Sequence, residues 1–274
     1  MSKRAGKKDG NGAGELSVIV PCYEEALNIR PLTTRLFAAT NKAGLETELL
    51  LVDDFSGKGT EDSKKVVEEL QKEGFKVEIL VRMPSEGKGL SSAVVHGMKR
   101  AKYGTLLVMD ADLQHEPESV PDVAKPILTK RADFAVGSRH VGGGKIEDFP
   151  LVRRIISHVA TALALPLTTC RDPMSGFFCI SKETFDKGKD SLNPMGYKIG
   201  LELMVRCNCS RVEEVPITFR DREAGESKLS MKENIRYLVH LFHLYWFKYP
   251  GMLILLFVIA CFVVYNILVT VLNL

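Results

Sequence analysis

Three strand-length runs, Leu16–Val20, Glu48–Val52 and Thr105–Met109, each stop abruptly at acidic or aromatic residues. Short runs rich in Leu, Ile and Val, without strict alternation, read as strands buried on both faces. The first is closed by Pro21-Cys22-Tyr23-Glu24-Glu25, the second by Asp53-Asp54, and the third by Asp110-Ala111-Asp112. Between them, Asn28–Thr40 (apolar at Ile29, Leu32 and Leu36), Thr60–Glu73 before Gly74, and Leu90–Ala101 read as helices, with a further strand at Val77–Val81. This alternation predicts an α/β fold: a mainly parallel central sheet with right-handed crossovers and helices on both faces. The carboxyl ends of parallel strands share one edge, where open α/β sheets bind ligands. An aromatic ring and several carboxylates therefore converge there. Tyr23 can stack on a base, and a carboxylate can accept from ribose hydroxyls or base N–H groups.

Unpaired charge is costly to bury, but at a strand's carboxyl end two Asp flanking one Ala can point into a crevice and share a divalent cation. Asp110 and Asp112, with Gln114, form a hard oxygen set that suits Mg²⁺ or Mn²⁺ completed by water and substrate phosphates. For D-x-D by itself, a strand-end turn whose Asp residues cap the next helix is the favoured reading, and the rest of the chain reverses that order. No G-x-G-x-x-G follows the first strand and no G-x-x-x-x-G-K-[ST] occurs, which disfavours the dinucleotide fold and excludes the P-loop class. No catalytic triad stands out. His115 reads as a base or, preferably, as a supporting or capping residue. Asp172, before Pro173, reads as a turn residue or as an orienter of a loop near the substrate, and Arg153 and Arg154 as phosphate-facing or solvated charge.

Past residue 112 the pattern is less regular. Phe134–Gly137, Phe177–Ile180 and Val215–Phe219 read as strands, and Leu151–Leu165 as a helix ended by Pro166. Ser230–Lys248 is amphipathic, with Ile235, Leu238, Val239, Phe242 and Trp246 on one face; that face suits either a membrane interface or the domain's own core. Met252–Leu272 contains no charged residue. Its roughly 21 residues give a helix of about 31 Å, the thickness of a bilayer's hydrocarbon core. Lys232, Arg236 and Lys248 precede it and no Lys or Arg follows. The positive-inside rule then leaves the large domain in the cytosol, with Tyr245, Trp246 and Tyr249 at the interface. Expected boundaries are a disordered basic tail at 1–14, a catalytic domain at 15–229, an amphipathic helix at 230–249 and a transmembrane helix at 250–274. A net charge of +3 does not mark a nucleic-acid binder. Of six cysteines only Cys207 and Cys209 are close, and one C-x-C is not a zinc spacing. With no signal peptide, reduced thiols in a cytosol-facing protein are expected.

The segments V-I-V-P-C-Y-E-E, V-D-D-F-S, G-K-G-L-S-S-A, M-D-A-D-L-Q-H, G-S-R, D-P-M-S-G-F-F and G-E-S-K-L occur in the order that characterises inverting glycosyltransferases with the nucleotide-sugar-binding A-type fold. Over Leu16–Lys248 the chain most resembles the single-subunit, membrane-anchored branch of the dolichyl-phosphate mannosyltransferases. The resemblance implies transfer of mannose from GDP-mannose to dolichyl phosphate with inversion, Mg²⁺ or Mn²⁺ as cofactor, and a place in the endoplasmic reticulum membrane facing the cytosol. It implies no obligatory protein subunit and no nucleic acid. By the same resemblance, Pro21, Tyr23, Glu25, Val52 and Asp54 hold the guanosine, while Asp110, Asp112 and Gln114, with the backbone of Ala111, hold metal and diphosphate. Arg139, Arg222 and Lys228 contact phosphates of donor or acceptor and, with Asp112, form the catalytic set. The loop D-x-S-x-D-G-T is altered, Lys58 replacing its second acid. Rival readings are a polyprenyl-phosphate glucosyltransferase using UDP-glucose and a non-catalytic membrane nucleotide-sugar sensor. A phosphatase built on D-x-D lacks the Thr its motif requires.

Overall fold

The structure is a computed structural model, and it describes residues 14–142, 145–146, 151–219 and 231–272. Its strands are β1 (Glu15–Cys22), β2 (Glu46–Asp54), β3 (Val77–Arg82), β4 (Thr105–Val108), β5 (Phe134–Ser138), β6 (Lys145–Ile146), β7 (Phe178–Ser181), β8 (Val212–Pro216) and β9 (Thr218–Phe219). Its helices are α1 (Ala26–Lys42), α2 (Lys58–Lys72), α3 (Leu90–Arg100), α4 (Val120–Leu128), α5 (Leu151–Ala164), α6 (Lys182–Gly188), α7 (Ile199–Arg206), α8 (Met231–Lys248) and α9 (Pro250–Leu272).

Seven strands form one sheet in the order β3-β2-β1-β4-β7-β5-β8. Neighbours are parallel except at β7, which runs antiparallel to both β4 and β5. The carboxyl ends of β1, β2, β4 and β5 and the amino end of β7 consequently share one edge. Pro21 lies within β1, opposite Val52, which is tolerated because pairing to β4 has already ended at Ile19↔Val108. The expected strand Val215–Phe219 is instead two, split at Ile217: β8 joins the main sheet, whereas β9 pairs with β6.

Alternation along the strands supplies two cores. Leu50 and Val52 face Ala93, Val94 and Met98 of α3, in a cluster that extends to α7 and α8. Leu49 and Leu51 face Ile29 and Leu36 of α1 and Val67 of α2 on the other side. Helix α8 buries His240, Leu241 and Leu244, whereas Ile235, Leu238, Val239, Phe242 and Trp246 are exposed. The apolar face read from the sequence is thus not the one that packs on the domain. Helix α9 is long and apolar enough to cross a membrane, and none of its apolar window is buried. Asn266 within it donates to the Phe262 carbonyl at 2.7 Å, which satisfies an amide that lipid cannot.

Candidate active site

The alternation that builds the two cores also separates Asp53 from Asp54. Asp53 turns toward α2, where its Oδ1 accepts from Thr60 Oγ1 at 2.5 Å, and Thr60 Oγ1 in turn accepts from Ser56 N at 2.9 Å. Burial pushes the Asp53 carboxyl upward, and its bond to Thr60 ties it to the loop's scaffold. Lys58, the departure from the family pattern, is the exposed first residue of α2. Asp54 turns toward α3, where its Oδ1 accepts from the buried Arg82 guanidinium and its Oδ2 from Gly89 N at 2.6 Å. Val52, one pleat earlier, is fully buried, so only its main chain borders the edge.

Tyr23 is partly exposed, with Lys88 Nζ 5.4 Å from its ring centroid. Glu25 precedes α1 and accepts from Asn28 Nδ2 at 2.8 Å. Glu24 between them has φ of 61°, in the left-handed region. Leu113 has the same φ although it is buried to 2 % exposure. Left-handed backbone costs a residue with a Cβ about 1–2 kcal/mol, and such strain persists only where surrounding contacts overdetermine it. Both turns therefore hold their shape against a local preference.

The loop Asp110–His115 is braced from beneath. His115 is buried, lies against the Phe177 ring at 5.1 Å between centroids and a 34° tilt, and accepts the Asp110 backbone N–H on Nδ1 at 3.4 Å. Burial lowers its imidazole to about 4, so it is neutral with its proton on Nε2. That is the supporting role, not the general base. Asp112 Oδ1 accepts from Gln114 N at 3.2 Å, an Asx-type turn. One oxygen of Asp112 thus serves a local turn but not the helix cap that the alternative reading expected, since the next helical turn starts after Glu116 with no side-chain cap. The Asp110 side chain is 37 % exposed and opens toward the edge. Among the described residues no group of three His, Cys, Asp or Glu gathers. Two carboxylates and the Gln114 amide carbonyl at one strand end still form an all-oxygen set, fitting a divalent cation that takes its remaining ligands from phosphate and water.

The reversed strand β7 delivers D-P-M-S-G-F-F against this loop. A Cβ at Gly176 would lie 3.1 Å from Asp110 Oδ2, so only glycine leaves that carboxylate its place. Asp172 is buried and forks onto Arg139, with Nε to Oδ2 at 2.9 Å, Nη2 to Oδ1 at 2.8 Å, and the Arg139 backbone N–H to Oδ2 at 3.0 Å. Burial opposes the charged form of Asp172, but the Arg139 bonds and charge outweigh it and hold the carboxyl below the usual range. Glu214 anchors the same segment by accepting from Arg171 N and Asp172 N at 3.1 and 3.2 Å. Asp172 is thus an orienter, which the turn reading missed.

The edge brings together Pro21, Tyr23, Glu25, Val52, Asp54, Asp110, Ala111, Asp112, Gln114 and Arg139. Arg222 and Lys228 lie outside the described residues, as does the basic tail up to residue 13, and no side-chain placement is described for Arg153 and Arg154. Arg82, Lys88, Gly176 and Lys198 were not singled out from the sequence. Arg82 ends β3 shortly before G-K-G-L-S-S-A and Lys88 lies within it, and that proximity to the strand ends was the signal available.

The family model for glycosyl transferase family 2 matches residues 17–188. The chain is 44 % identical over 259 residues to a dolichol-phosphate mannosyltransferase of Mycosarcoma maydis, covering 90 % of this chain and 86 % of that one. It is 44 % identical over 252 residues to a dolichol-phosphate mannosyltransferase of Saccharomyces cerevisiae, covering 89 % and 92 %. Among solved structures, mannosyltransferase PcManGT from Pyrobaculum calidifontis, in complex with GDP-Man and Mn²⁺, superposes with a TM-score of 0.52. It covers 85 % of this chain and 65 % of that chain at 13 % identity, a likeness of fold.

Proposed function

The chain belongs to glycosyl transferase family 2, in the branch of the dolichol-phosphate mannosyltransferases, and we propose that it transfers mannose from GDP-mannose to dolichyl phosphate with inversion. The observation that carries this reading is the single edge where Asp110, Asp112, Gln114 and Arg139 meet, in a chain so closely related to proteins of that name. Tyr23 and Glu25 border the nucleoside, and Asp54, fixed by Arg82 and Gly89, presents its remaining lone pairs to the ribose or base. Asp110, Asp112 and Gln114 would hold Mg²⁺ or Mn²⁺, which would supply positive charge to the donor diphosphate.

The acceptor's phosphate is already an anion near neutral pH and attacks the anomeric carbon from the face opposite GDP. One C–O bond to GDP breaks as one C–O bond to the lipid phosphate forms, so an α-linked donor gives a β-linked product. No side-chain nucleophile is needed, in keeping with a His115 that is neutral, buried and spent on the loop backbone. Arg139, held rigid by Asp172, and Arg222 and Lys228 offset charge developing on the departing diphosphate. Helix α9 anchors the enzyme in the endoplasmic reticulum membrane as a single C-terminal pass with the catalytic domain in the cytosol. The test is transfer of radiolabelled sugar from GDP-mannose, UDP-glucose or UDP-GlcNAc to dolichyl phosphate with Mg²⁺ or Mn²⁺. Metal-dependent transfer from GDP-mannose is expected. Transfer from UDP-glucose alone, or from none of the three, would overturn the reading.

A further inference from the structure

We propose that Lys198 is a further cation of this site, binding a phosphate oxygen of the donor diphosphate or of the lipid monophosphate. The inference rests on the proposed glycosyl transfer and adds a residue to it. Lys198 sits just before α7, at φ −106° and ψ 50°, outside the helix it introduces. Its Nζ donates to the Met174 carbonyl at 3.3 Å. An ammonium has three protons to place, and among the described residues this long bond is the one its Nζ makes. A lysine serving only as a clamp has better geometry elsewhere in this chain: Lys248 Nζ reaches the Leu167 carbonyl at 2.6 Å.

The surroundings explain why such a group is retained. Met174 lies midway between Asp172, which forks Arg139, and Gly176, which backs Asp110. Lys198 feels the charges of all three: Arg139 repels it, and Asp110 and Asp172 attract it. Burial and Arg139 together lower its ammonium to about 8. Asp172 already neutralises Arg139 through two parallel bonds. A divalent cation would neutralise Asp110 and Asp112. Lys198, half-buried, then remains as positive charge beside a second cation, its Nζ bonded, among the described residues, to a carbonyl and not to a carboxylate. A phosphate oxygen would give this ammonium an anionic partner and a charge-assisted hydrogen bond stronger than its 3.3 Å bond to the Met174 carbonyl.

The test compares the full-length wild type with Lys198→Met, which keeps the stem and loses the charge, and Lys198→Arg, which keeps the charge. GDP with Mn²⁺ and a short-chain polyprenyl phosphate are titrated separately by calorimetry, KM is measured for GDP-mannose and for the lipid, and thermal unfolding is followed in parallel. Lys198→Met should weaken one of the two ligands about tenfold or more, with partial recovery in Lys198→Arg. Loss confined to GDP assigns the donor diphosphate; loss confined to the lipid assigns the acceptor monophosphate; loss of both with recovery in Lys198→Arg assigns an oxygen shared between them. Affinities within twofold of wild type in Lys198→Met overturn the proposal. So does a fall in both that tracks a lowered melting temperature and is not restored by arginine, since that marks a clamp on the Met174 segment. A wild type that binds both ligands yet transfers no sugar refutes the proposed function and leaves this binding test intact.

Discussion

Gly176→Ala isolates what the reversed strand does for Asp110. The backbone of Gly176 is not among those with positive φ, so the added methyl is the whole perturbation. Its Cβ would stand 3.1 Å from Asp110 Oδ2, 3.4 Å from Oδ1 and 3.6 Å from Cγ. Comfortable contact begins at about 3.5 Å, so the carboxylate must retreat by roughly 0.4 Å. Asp110 is 37 % exposed and can turn outward, so the cost in folding stability should be about 0.5 kcal/mol or less. The cost to the site is larger, because metal–ligand distances are held within about 0.2 Å. A misplacement of about 1 Å can cost roughly a hundredfold in rate, which scales to about fivefold here at limiting metal. The assay is mannose transfer across a Mn²⁺ titration, with thermal unfolding alongside. A double-mutant cycle with Asp110→Asn, read by calorimetric binding of GDP with Mn²⁺, shows whether the methyl acts through that carboxylate. Turnover within twofold of wild type at every metal concentration would refute the reasoning, as would an equal loss of binding in the Asp110→Asn background.

Asp112→Ala should abolish detectable transfer while the protein stays folded, as judged by circular dichroism; near-normal turnover at saturating metal removes Asp112 from the metal set. Arg82→Met leaves Asp54 buried without its cation and should cost about 3–5 kcal/mol in urea unfolding, whereas an exposed pair such as Lys65–Asp62 should cost under about 1 kcal/mol. Lys228→Ala should lower turnover about a hundredfold if a fixed cation faces the developing charge, and a twofold effect would return it to a solvated loop. Lys198 titrates near 8 in the folded protein, below its ordinary 10.5. The unfolded chain therefore binds more protons between those values, and this group's contribution to stability rises with pH across that window. Affinity for the phosphate ligand should move the other way and fall as pH passes about 8, a limb that calorimetry should find absent in Lys198→Met.

The strand ends bearing Tyr23, Asp54 and Asp110 were legible because each element announces itself locally: a buried strand by its run of Leu, Ile and Val, a helix by its period. The uncharged stretch that becomes α9 was legible for the same reason. Helix α4 was not, because Pro121 and Pro126 interrupt its period within nine residues. The face of α8 that packs was not either, since apolar residues occupy both sides and only the neighbouring core selects Leu241 and Leu244. The sequence alone thus determined the α/β class, the edge where acids gather and the apolar segment. The tertiary structure decided how that edge is held: Arg82 on Asp54, Asp172 on Arg139, Gly176 behind Asp110, and Lys198 beside them. These partners are brought together by the order and direction of β4, β7 and β5. Strand pairing at such separations depends on which buried surfaces fit globally, and no local window of sequence carries that information.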